Sequence, residues 1–158
     1  MARGGGGSRG EEAALTVLDA SALVAALVGE PAAKELAPIL RQRPPPAISA
    51  VNLTEAIDIL TRVMGRDPAS VRDSVDWLVA AGLQVEPVWT PLARQAAALR
   101  ARHYDRKNRP LSLGDCICLA TAISTSAALA TTDRHLAVLA RELGVEVMAL
   151  PDSTGARL

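Results

Sequence analysis

Apolar positions along the chain follow two alternating periods. Short apolar or β-branched runs occur at Leu15–Leu18, Ala47–Ser49, Leu83–Val88, Ala127–Thr131 and Val145–Ala149. Their lengths and compositions predict buried strands. Between them lie Ala- and Leu-rich stretches in which apolar residues recur at helical spacing. The segment Val51–Met64 carries Leu53, Ile57, Leu60 and Met64 at steps of 4, 3 and 4. Pro68–Ala81 places Val71, Val75, Leu78 and Val79 on one face. Further helices are expected at Ala20–Val28, from Pro31 to about Arg41, and at Pro91–Arg106, Leu113–Ser126 and Arg134–Leu143.

The breakers sit where these elements should end. Gly29, Gly65, Gly82 and Gly144 follow predicted helices, and Pro44-Pro45-Pro46 closes the second. Strands alternating with helices predict an α/β fold, a parallel sheet with helices on both faces. Right-handed crossovers then bring every strand's C-terminal end to one edge, where open α/β sheets place their sites. No repeat and no second domain is visible. Residues 1–12, Gly-rich and without periodicity, are expected to be a flexible tail. The domain is expected over 13–150, and 151–158 is read as a C-terminal tail.

The 158 residues form one domain's worth of chain. Phe is absent and aromatics are 2%, so the core must come from Ala, Leu, Val and Ile, and a base-stacking surface is poorly supplied. Seventeen cations balance seventeen acids, which speaks against non-specific binding to nucleic acid or membrane by net charge. Cys116 and Cys118, two apart in a helical pattern, point to different faces and are expected as small buried hydrophobes, not a zinc site. No apolar run approaches a membrane span, and no signal-peptide pattern opens the chain. A soluble cytoplasmic protein is the expectation.

Four acids stand at the strand ends and helix starts. Asp19 follows the first strand directly. Glu55 lies just beyond Ala47–Ser49, in the expected first turn of its helix. Asp133 follows Ala127–Thr131, and Asp115 sits in the first turn of Leu113–Ser126. Taken singly, each reads as a helix cap: Asn52-x-x-Glu55 and Ser112-x-x-Asp115 have capping-box spacing, and the helix dipole favours acids there by about 0.3–1 kcal/mol. Taken together they are in conflict. Two like charges ~4 Å apart cost about 4 kcal/mol at an effective dielectric of 20. A hard cation, Mg²⁺ or Mn²⁺, resolves the repulsion and is the usual equipment for phosphodiester chemistry.

The stretch Val17-Leu18-Asp19-Ala20-Ser21-Ala22-Leu23-Val24 resembles the opening motif of PIN-domain ribonucleases. Asn52-Leu53-Thr54-Glu55, Leu113-Gly114-Asp115-Cys116 and Thr131-Thr132-Asp133-Arg134-His135-Leu136 are similar to that family's second, third and fourth motifs. Their order and spacing, over about Leu15 to Leu150, resemble VapC-type toxins of bacterial toxin–antitoxin pairs. The resemblance implies a three-layer α/β/α fold with five parallel strands ordered 3-2-1-4-5. It implies a metal-dependent endoribonuclease, with Asp19, Glu55, Asp115 and Asp133 around one or two Mg²⁺ or Mn²⁺ ions. It also implies an RNA substrate cleaved by metal-activated water, a cognate VapB-like antitoxin and a homodimer. Direct ligation best suits the short side chains of Asp19 and Asp115. Glu55 reaches further and suits ligation, directly or through water, or activation of the nucleophile. Ser21 and Thr131 are candidates to orient these groups from behind.

Between Arg100 and Arg109 five cations face one acid, and Arg102, Arg106 and Arg109 are candidate contacts to RNA phosphates; the alternative is a solvated helix end. His103 and His135 are weaker candidates for proton transfer, since metal-dependent hydrolysis needs no histidine base. Trp77 is expected in the core or at a dimer interface. Three other readings stand beside the toxin. One is a PIN-like nuclease of RNA processing. Another is a receiver-like phosphotransfer protein, disfavoured because no lysine follows Lys107. The third is a non-catalytic module whose acids are only caps.

Overall fold

The computed structural model describes residues 14–157, so the Gly-rich segment at 1–12 lies outside the described residues. Five strands, β1 (Thr16–Leu18), β2 (Ala47–Ser49), β3 (Gln84–Glu86), β4 (Ala128–Thr131) and β5 (Val147–Ala149), form one parallel sheet. Their order is β3-β2-β1-β4-β5, as the resemblance implied. Seven α-helices, α1 (Ala20–Val28), α2 (Ala33–Ile39), α3 (Ala50–Asp58), α4 (Pro68–Ala80), α5 (Thr90–His103), α6 (Leu113–Ser124) and α7 (Arg134–Glu142), make the outer layers. Strands β3 and β5 are shorter than the apolar runs Leu83–Val88 and Val145–Ala149 predict. Both lie at sheet edges, where only one neighbour extends the ladder.

The period of two sorts the central strands between two cores. Val17, Ala47 and Leu129 are in register and face the layer of α5, α6 and α7. Leu18, Ile48 and Ala130, one residue on, face the layer containing α1–α4. All six are completely buried. Leu23, Leu36 and Leu60 fill one layer, and Leu119, Leu136 and Leu139 the other, so leucine supplies the bulk that Phe would otherwise provide.

Three expectations are corrected. Helix α3 starts at Ala50 because the Ser49 hydroxyl accepts the Asn52 N–H at 3.0 Å; Ser49, not Asn52, is the N-cap. Glu55 therefore stands in the second turn, and the Asn52–Glu55 capping box does not form. Beyond Asp58 the helix widens into a π-helical turn, Ile59–Val63, which shifts the phase of the apolar stripe. Leu60 stays buried, whereas Met64, expected on the same face, is exposed. Trp77 is 69% exposed on α4, because the helix turns Val75 and Leu78 inward instead; of the two places expected for it, core or dimer interface, only the core is excluded.

Cys116 and Cys118 are buried free thiols, as expected. The segment following β5 runs back past α2, where Arg157 pairs with Glu35 at 2.6 Å.

Candidate active site

The carboxyl edge of the sheet collects all four acids. Asp19 leaves β1 as the N-cap of α1. Its Oδ1 accepts the Ala22 N–H and the Ser21 hydroxyl, each at 2.7 Å, and its Oδ2 accepts the Thr131 hydroxyl at 2.5 Å. The side chain is nearly inaccessible, 3% exposed. Thr131, at the end of β4, also accepts the Asp133 N–H at 2.9 Å, so it links two acids. Asp133 caps α7 by accepting the Leu136 N–H at 2.7 Å. Ser21 in turn accepts the Thr132 hydroxyl at 2.7 Å, tying the first turn of α1 to the loop after β4. Ser21 and Thr131 thus both hold Asp19.

Asp115 closes a true capping box at the start of α6. Its Oδ2 accepts the Ser112 N–H at 2.6 Å while its own N–H donates to the Ser112 hydroxyl at 3.0 Å. Glu55 arrives from the other side, on α3. Its carboxylate lies directly over Gly114: a Cβ built on that glycine would come within 2.5 Å of Glu55 Oε2. Because Gly114 has no side chain, the Glu55 carboxylate can occupy that space; a Cβ there would push it aside. Asn52, one turn before Glu55 on the same face, donates its Nδ2 to the Gly114 carbonyl at 3.2 Å and is itself buried.

Electrostatically, Asp115 is the centre of the set. Burial pushes the Asp19 carboxyl up to about 6; hydrogen bonds from Thr131, Ala22 and Ser21 work against that rise, and the Asp115 charge adds to it. Burial also raises Glu55, helped by the charges of Asp115 and then Asp58. Asp115 itself is raised by burial, opposed by its Ser112 hydrogen bonds, raised again by Asp133 and lowered by His135. Three carboxyls are therefore harder to ionise than free acids, and each of the other three acids acts on Asp115 or is acted on by it.

Among the described residues no three His, Cys, Asp or Glu side chains close into a direct metal cage. The donors nonetheless fit a hard, hydrated divalent cation. They are all carboxylate oxygens, they repel one another without a counter-charge, and Mg²⁺ keeps several of its own waters instead of demanding a full protein shell. Capping does not exhaust them. Asp115 engages Oδ2 and Asp133 Oδ1 in their caps, leaving each a second oxygen. Glu55 caps nothing, since α3 is capped by Ser49. Capping alone accounts for three of the acids and fails for the fourth.

The cationic segment is divided. Arg102 and Arg106 are exposed. Arg109, expected beside them, pairs with Glu142 at 2.7 Å. Arg100 lies 4.5 Å over the Tyr104 ring and donates Nε to the Leu111 carbonyl. His135 lies near enough to Asp115 for its charge to act there, while among the described residues no metal-holding cluster includes it. Sequence reasoning missed Asn52 and Gly114 as parts of the site. Their signal was local, an Asn three before Glu55 and a Gly one before Asp115, but their meeting depends on a contact 62 residues apart.

A family profile described as the PIN domain matches residues 16–142. No curated protein matches the chain. Among solved structures, the chain is similar to Mycobacterium tuberculosis VapC20, described as a sarcin–ricin-loop-cleaving toxin. That match has 21% identity and a TM-score of 0.62, over 78% of this chain and 94% of that one. DNA-bound VapBC from Salmonella typhimurium matches at 19% identity and TM-score 0.63, over 85% and 97% of the two chains. FitAcB from Neisseria gonorrhoeae matches at 18% identity and TM-score 0.62, over 85% and 96%. At these identities the likeness is one of fold.

Proposed function

This chain belongs to the PIN-domain family, and from that premise we propose that it is a metal-dependent endoribonuclease acting as the toxin of a toxin–antitoxin pair. The observation that carries the nuclease reading is the grouping of Asp19, Glu55, Asp115 and Asp133 at one sheet edge, with Asp115 coupled to the other three. The toxin reading adds the likeness in fold to VapC20 and to the VapBC and FitAcB complexes. The likeness to the VapBC and FitAcB structures supports a VapB-like antitoxin as partner.

Asp19 and Asp115 would hold the cation directly, and Glu55 and Asp133 would complete its surroundings through water. A bound Mg²⁺ or Mn²⁺ would lower the pKa of a water and polarise the phosphodiester. The chain's own groups do the rest. Thr131 and Ser21 fix Asp19 so that neither carboxylate oxygen swings away. Ser112 does the same for Asp115 through its backbone N–H. Glu55, whose carboxyl is raised by burial and which has no cap to serve, would accept a proton from the attacking water. Arg102 and Arg106 offer exposed cations to the RNA backbone.

The test is a Mg²⁺ titration of thermal stability together with cleavage of an RNA oligonucleotide. Wild type should gain melting temperature with Mg²⁺, because only the folded state offers the site. A variant with all four acids changed to their amides should show neither the gain nor cleavage. An identical Mg²⁺ shift in both proteins would remove the four acids as the metal site, and cleavage surviving the fourfold change would remove them as the nuclease.

A further inference from the structure

We infer that Asn52 is a positioning residue that sets the spacing between Glu55 and Asp115, and so the affinity of the acid cluster for its divalent cation. The inference rests on the metal-site reading above.

Asn52 is 1% exposed in the first turn of α3, and every polar atom of its side chain has a defined use. The Ser49 hydroxyl donates to Asn52 Oδ1. That bond decides which end of the amide faces α6: Nδ2, a donor, meets the Gly114 carbonyl at 3.2 Å. A reversed amide would set two acceptors against each other on that side.

The Gly114 carbonyl belongs to the peptide unit that joins Gly114 to Asp115. The N–H of the same unit donates to the Ser112 hydroxyl at 3.0 Å. One peptide group is therefore gripped from both sides, by Asn52 at its carbonyl and Ser112 at its N–H. Since a peptide is planar, this leaves the Asp115 Cα little freedom to tilt. Glu55 stands one helical turn beyond Asn52, and its carboxylate rests against Gly114. Asn52 thus ties the backbone carrying one acid to the helix carrying another. These acids come from elements that sequence keeps 60 residues apart. Losing the tie lets α3 and α6 separate without removing any ligand.

Thermal melts of the full chain across a Mg²⁺ series, with RNA cleavage kinetics alongside, test this. In Asn52→Leu, which keeps bulk and removes the donor, the Mg²⁺ concentration giving half the stabilisation should rise about tenfold, the scale of lost support behind a metal ligand. The kcat for an RNA oligonucleotide should fall while KM holds. A lower metal-free melting temperature with an unchanged Mg²⁺ midpoint would make Asn52 a packing tie only and overturn the inference. Should Asn52→Leu fail to fold, Ser49→Ala decides. It keeps Asn52 and frees its amide to turn, so the midpoint should rise in the same sense, and an unchanged midpoint overturns the inference. A wild-type protein without any Mg²⁺ response removes the metal-site reading itself, and this inference with it. A wild-type response matched by both variants removes this inference alone.

Discussion

The Thr131 hydroxyl donates to Asp19 Oδ2 at 2.5 Å and so joins the end of β4 to the cap of α1. The Thr131 hydroxyl oxygen in turn accepts the Asp133 N–H. One small side chain therefore holds one acid directly and another through its backbone. Thr131→Val keeps the shape and removes the hydroxyl, leaving Asp19 Oδ2 without its donor. Mg²⁺ affinity is expected to fall about tenfold, whereas Thr131→Ser should stay near wild type. Calorimetric Mg²⁺ titration of the two variants checks this; equal affinities would show that the hydroxyl does not support the site.

Asp19→Asn should abolish RNA cleavage and growth inhibition without unfolding the protein. The amide oxygen can still accept the Ala22 N–H, so the α1 cap survives. What disappears is a ligand charge. Circular dichroism establishes the fold and a labelled RNA oligonucleotide the activity. Wild-type cleavage by this variant would be incompatible with Asp19 as a ligand.

Metal-free stability should fall as pH rises from about 4 through 6. Asp19 has its folded pKa raised from 3.8 to about 6, so over that window the folded state holds a proton that the unfolded state has released. Rising pH then favours the unfolded state, by an amount on the order of 3 kcal/mol for a carboxyl displaced this far. Glu55 and Asp115, raised in the same direction, add to the trend. Mg²⁺ takes the place of the proton, so saturating metal should flatten the profile above pH 6. Melts at pH 5 and 7.5, with and without Mg²⁺, measure both effects. A metal-free protein more stable at pH 7.5 than at pH 5 would contradict the upward displacement of the buried Asp19 carboxyl.

Gly114→Ala should damage activity more than stability. The new Cβ meets the far end of the Glu55 side chain, which can swing aside, so the fold is retained while Glu55 leaves its place. Cleavage is expected to fall at least about tenfold, with a small change in melting temperature. Wild-type kcat in this variant would free Glu55 from any requirement for its present position.

RNA binding should distinguish the three arginines. Arg102→Gln and Arg106→Gln are each expected to reduce the salt dependence of affinity, by roughly 0.7 per lost phosphate contact on single strands. Arg109→Gln should matter less, because the Arg109 guanidinium is already paired with Glu142. Affinities measured over a salt series in an Asp19→Asn background, where RNA stays intact, give the slopes. Equal slopes in all four proteins would return the segment to a solvated helix end.

Much of this molecule was legible in its sequence. The strands at β1 and β2, the bounds of α1 and the stops after the helices follow from local periodicity and from breakers such as Gly29, whose positive φ ends α1. Asp19, Asp115 and Asp133 were legible as candidates as well, because each follows a strand or opens a helix, and the parallel alternation sends those positions to one edge.

Other features needed the tertiary structure. Asn52 looked like a cap. It is buried against Gly114 because Ser49 takes the cap and turns the Asn52 amide toward α6. Glu55 moved from first turn to second for the same reason. Met64 left the apolar face because a π-helical turn alters the phase, and Arg109 left the free cations because α7 brings Glu142 beside it. Periodicity and capping act over a few residues and are written locally. The closeness of two helices, the partner of a charge and the burial that raises Asp19 are set by atoms distant in sequence, and they exist only once the sheet has closed between its two layers.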